Sequence, residues 1–163
     1  MAVNEALLDA LLSPTTGGVD SPRAQAESHL QTIPVETRSA SLLAVLQQSS
    51  TEAHWMMAAV LLRRDVATLA GNAMTQQTDK TTALQLLRGF VEPFVSMFIN
   101  SSGLSSNSRR LVGHCLAEIC ASLSVLSEPD SDSAFETIIS KAAPLVSTRC
   151  NARSFISFWT LVG

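Results

Sequence analysis

From Glu52 to Arg64 the chain reads E-A-H-W-M-M-A-A-V-L-L-R-R, an apolar run from Trp55 to Leu62 that stops at two arginines. Apolar and polar residues do not alternate, so the run is not a half-buried strand. A helix that is apolar around most of its circumference is covered on several sides at once. The pattern asks for neighbours, and helical spacing elsewhere supplies them. Val3, Leu7, Leu8 and Leu11 share one side, with Glu5 and Asp9 opposite, before S-P-T-T-G-G interrupts as a loop. Ser21 caps and Pro22 begins a second helix that reaches about Gln31. Pro34 opens a third, with Leu42, Leu43, Val45 and Leu46 as its apolar stripe.

Ser49 stands three residues before Glu52, the spacing of a capping box, and predicts the start of a fourth helix that ends near Leu69, before Gly71-Asn72. A fifth is expected from about Asp79 to Asn100, kinked at Pro93. S-S-N-S-R-R-L-V-G-H-C-L-A-E-I-C-A-S-L-S-V-L makes a sixth. A seventh follows Ser133, capped with Glu136, and N-A-R-S-F-I-S-F-W-T-L begins an eighth.

The expectation is therefore all-α, with no strand. The helices pair one-two, three-four, five-six and seven-eight, and the irregular steps between pairs bracket the period of HEAT and armadillo repeats. An α-solenoid of four antiparallel pairs, the last incomplete, explains the opening run, because a helix in a stack touches its partner and both neighbouring repeats. In that reading Arg63 and Arg64 end the run where the helix emerges at the solenoid's edge. A compact helix bundle remains the alternative. The segment is read as one domain over 1–163, with repeats one and two over 1–70, repeat three over 79–126 and an incomplete fourth over 130–163.

Composition sharpens this picture. Of 163 residues 46% are hydrophobic and only 15% charged, against about 25% charged in an ordinary soluble domain. A Ser/Thr/Gln-rich surface, together with apolar surface that meets something else, accounts for such a load. The net charge of −3 and the scattered arginines argue against a nucleic-acid binder, which shows a basic stripe. The acids gather near the start and again from Glu128 to Glu136, as solvated faces and loops do. Cys115, Cys120 and Cys150 show no CxxC spacing and leave one thiol unpaired, which points to a reducing compartment. The first residues are acidic where a signal peptide is basic, and no stretch reaches the roughly 18 uninterrupted apolar residues of a membrane span. A soluble intracellular protein is expected.

Candidate chemistry adds little. His114 and Cys115 are adjacent on a helix and point about 100° apart, so they cannot act as a nucleophile–base dyad. His114, Cys115 and Cys120 lack the spacing of a zinc site, and Cys120 reads as a small core residue. No phosphate loop, GxSxG or paired carboxylates occur, so no enzyme class, cofactor or metal has support. Met56 and Met57 read as core. Arg63 and Arg64 either complement a helix C-terminal dipole or dock acidic groups of a partner. Glu27 reads as a contact between helices.

Two stretches carry a family resemblance. R-A-Q-A-E-S-H-L-Q-T-I-P, followed by M-A-A-V-L-L-R-R, resembles the second and fourth helices of the N-terminal domain of importin-β (karyopherin-β) receptors, most closely the importin β-3 branch. R-R-L-V-G-H-C-L-A-E-I-C-A-S-L and S-F-I-S-F-W-T-L are similar to later helices of that branch. The likeness is strongest over 1–70. The loop T-T-G-G-V-D is longer than the family pattern, and Ser/Thr replace many charges.

The resemblance implies a right-handed superhelix of HEAT repeats, of which this is the beginning. It implies a receptor that shuttles between cytoplasm and nucleus and binds Ran in its GTP form along the second helix of each early repeat. Those helices here are 23–31, 54–64 and 109–122, so the implied partner-binding residues are Arg23, Glu27, His54, Arg63, Arg64, Arg109 and Arg110. Import cargo and nucleoporins would engage repeats not contained here, with neither nucleic acid nor membrane as partner. An unrelated HEAT or armadillo scaffold is the alternative. The ending F-I-S-F-W-T-L-V-G, with Phe155, Phe158, Trp159 and Leu161 on one side and no polar cap, leads to the expectation of a fragment of a longer receptor whose last helix frays or pairs with another copy.

Overall fold

The structure, a computed structural model, describes residues 3–13, 21–49, 51–100 and 103–127. They form α1 (Glu5–Leu12), α2 (Pro22–Thr32), α3 (Val35–Gln48), α4 (Glu52–Met74), α5 (Lys80–Ile99) and α6 (Ser106–Leu126), and no strand occurs among the described residues. The all-α expectation holds. The expected seventh and eighth helices, Cys150 and the Phe155–Leu161 patch lie outside the described residues.

Local chemistry sets most helix starts. Asn4, Ser21, Asp79 and Ser105 occupy N-cap positions, and their side-chain oxygens accept hydrogen bonds from the backbone N–H three residues on. Each satisfies one of the donors that a helix start leaves open. Pro22 follows its cap in the first turn, where its fixed φ fits and its missing N–H has no helical partner to lose.

Two boundaries of α4 depart from expectation. Ser49 does not cap it. That residue closes α3 instead, its N–H donating to Val45 O, while its hydroxyl accepts from Thr51 N. Nor does Gly71-Asn72 stop the helix, which runs on to Met74. A lone glycine lowers helix stability without forbidding it. The stop is set further on, where Gln76 takes a left-handed φ of 59° and the N–H groups of Gln77 and Thr78 turn back to Asn72 O. That left-handed residue with returning N–H groups is how many helices satisfy their last carbonyls, although glycine is the usual residue there.

The chain divides into two compact units, Met1–Leu69 and Ala70–Gly163. In the first, α1 packs on α2. Its core contains Leu8, Leu11, Leu30, Leu42, Leu46 and Leu62. In the second, α5 packs on α6, burying Leu87, Phe90 and Phe94 from α5 and Val112, Leu116 and Ile119 from α6. α5 continues as one helix through Pro93.

The first unit also buries a charge pair that apolar patterning does not reveal. Arg38 of α3 is 8% exposed and Asp65 of α4 is 0% exposed. Arg38 Nε donates to Asp65 Oδ2 at 2.7 Å and Nη2 to Oδ1 at 2.6 Å, the parallel two-bond geometry that a planar guanidinium offers a carboxylate. Its Nη1 donates to Leu30 O at 2.8 Å and Ile33 O at 3.5 Å, at the end of α2. One side chain thus ties three helices, and it adds a donor to carbonyls at a helix end, of which Leu30 O also accepts from Ile33 N–H.

Candidate partner-binding surface

α4 carries the opening run, and its two faces differ. Trp55, Ala58, Ala59, Leu62, Val66 and Leu69 are buried, at the spacing of one helical side. Ala53, Val60, Arg63, Arg64 and Ala67 recur on the other side and are exposed, with Val60 at 52%. Met56 and Met57 are half-buried on the same side rather than in the core. The run is therefore not covered all round. It leaves an apolar strip, Met56–Met57–Val60, that leads into two arginines.

The position of those arginines revises two of the three sequence readings of them, the exit from the fold and the dipole. α4 continues past Arg64 to Met74, so they do not mark its exit from the fold and they lie too far from its C-terminus to complement the dipole, whose influence is confined to the last turn. The hydrophobic stripe does not stop either. It continues as Val66 and Leu69 on the buried side, while 63 and 64 fall on the solvent side.

The other implied residues are placed as follows. Arg23 and Glu27 pair with each other within α2 at 2.9 Å, so Glu27 makes an intra-helix contact and not the expected inter-helix one. Arg23 is half-buried and Glu27 exposed, and such a surface pair contributes about 0.3–0.5 kcal/mol. His54 is 8% exposed and held at 2.6 Å from Asp9 Oδ1 through its Nε2. Its Nδ1 is buried without a hydrogen-bond partner, 3.9 Å from Glu5 Oε1. His54 is thus committed to α1, and two acids expected on a solvated face converge on it. Arg109 and Arg110 are exposed near the start of α6.

Arg38 and Asp65 are functional-looking charges that the sequence reading passed over, and their role is internal. A signal was available: each interrupts the buried stripe of its own helix, at four residues before Leu42 and four before Leu69. Two opposite charges at core positions of consecutive helices suggest a pair.

The two described thiols are buried. Cys115 and Cys120 form no disulfide, and among the described residues no group of three or more His, Cys, Asp or Glu is arranged to hold a metal. Desolvation raises the Cys120 thiol from 9.0 to about 11. The neutral thiol is the form favoured by folding, so this group stabilises the fold at pH values below 9 and loses that contribution as pH rises from 9 through 11. Thiol-specific labelling at pH 8 is expected to leave Cys120 unmodified in the folded chain and to modify it readily in urea; rapid native labelling would contradict its burial. No described helix is long and apolar enough to cross a membrane. No protein-family model, curated protein or solved structure matches this chain.

Proposed function

We propose that this chain is the N-terminal part of a nuclear transport receptor of the importin-β type, a HEAT-repeat solenoid that shuttles between cytoplasm and nucleus. Its early repeats bind Ran in the GTP form, and cargo and nucleoporins engage repeats beyond these residues. The observation that carries the reading is the solvent face of α4, where Met56, Met57 and Val60 lead into the exposed Arg63 and Arg64. The resembling segments support it, because they fall on α2 and on α4, the second helices of the first two sequential pairs. An exposed apolar strip bordered by cations suits a protein partner with acidic groups around an apolar contact.

Reversing both charges with Arg63→Glu and Arg64→Glu is expected to weaken capture of GTP-loaded Ran at least about tenfold at low salt, with the deficit shrinking as salt rises. Arg88→Glu, a single charge reversal on the exposed side of α5, should leave capture unchanged. Equal losses from both changes would point to non-specific charge attraction and remove α4 as the binding face.

A further inference from the structure

Proline inside α5 sets up a weak turn that α6 lacks. Pro93 has no N–H, so the carbonyl of Gly89, four residues back, has no helical donor, and the proline ring crowds that carbonyl. The crowded residue is a glycine, and a Cβ added there would meet nothing within 4 Å. Glycine and proline have the lowest helix propensities, and here they stand one turn apart.

The turn also faces water. Gln85, Arg88, Gly89, Glu92 and Ser96 are exposed, so solvent reaches the open carbonyl. On the opposite side, Ala83 and Leu87 anchor the helix before the turn, while Phe94 and Val95 anchor it after. Helices curve around a core with their solvent-side bonds lengthened, and proline is a usual site of sharper bending. Phe90 holds the inner side of this turn in the core, so the two anchored halves can change their angle about it as the hydrated outer side, at Gly89 and Glu92, opens or closes.

We propose that the turn at residues 89–93 is a hinge that divides α5 into two segments, 80–88 and 94–99, which bend against each other while α6 stays intact. It is independent of the transport-receptor reading. Residue-resolved hydrogen exchange of the full chain under native conditions tests it. The amides of Phe90, Val91, Glu92 and Phe94 are expected to exchange at least about tenfold faster than those of Leu87 and, on α6, Leu116 and Ile119. Gly89→Ala, which has room for its methyl, should slow the turn about threefold. Pro93→Ala, which restores the missing donor, should slow it about tenfold or more, and neither change should alter Leu116 or Ile119. The hinge is overturned if the wild-type turn is as protected as Ile119, if the variants leave its exchange unchanged, or if they slow α5 and α6 equally.

Discussion

Arg38→Ala is expected to destabilise the first unit by about 3–5 kcal/mol, because it leaves the carboxylate of Asp65 buried without its partner. The loss is large against the roughly 5–15 kcal/mol that holds a typical domain together. It has two parts. Asp65 loses two short charge-assisted bonds in a fully buried position, and Leu30 O and Ile33 O at the end of α2 lose a donor. A second change separates them. In Arg38→Met with Asp65→Leu no charge remains buried, and replacing both partners by apolar groups of similar shape is often nearly neutral. The double variant should therefore recover much of the loss but not all, since the α2 carbonyls remain without Arg38. Urea denaturation followed by circular dichroism measures both. A single variant within 1 kcal/mol of wild type would mean that the pair is not buried as described.

Phe94→Ala is expected to cost the second unit about 3–5 kcal/mol, through lost apolar burial and the cavity left behind. Phe94 is fully buried and among the largest of the wholly buried side chains. Phe94→Leu keeps more volume and should cost less. Met97→Ala, three residues on but half-buried, should also cost clearly less. Thermal unfolding of the three variants checks the order; equal losses at Phe94 and Met97 would contradict the assigned orientation of α5.

These two sites were unequally legible. Phe94 falls in an apolar stripe of helical period, and burial follows from periodicity alone. Arg38 and Asp65 are charged residues, which by default belong outside. Their burial depends on each finding the other across 27 positions of chain. The same contrast runs through the helix boundaries. Ser21, Asp79 and Ser105 mark starts correctly because a cap is a contact three residues long. The end of α4 was misplaced because a weak helix former, Gly71, was tolerated while a left-handed Gln76 supplied the stop.

Among the implied partner-binding residues, the exposure of Arg64 and Arg110 was readable, since charges adjacent to apolar stripes seek solvent. The burial of His54 was not, because it depends on Asp9, 45 residues earlier in the chain. The opening run itself reads as covered on several sides. Only the structure separates its buried face at Ala58 and Leu62 from the open face at Val60.

That open face is where the central claim stands or falls. Fluorescence-anisotropy titration of this chain into labelled Ran, loaded in turn with a non-hydrolysable GTP analogue and with GDP at fixed salt, measures it directly. Saturable binding of the GTP form is expected, at least about tenfold tighter than the GDP form and weakened by the double charge reversal at Arg63 and Arg64. Equal affinity for the two forms, or no binding to either, would contradict it and favour a helical scaffold that serves other partners.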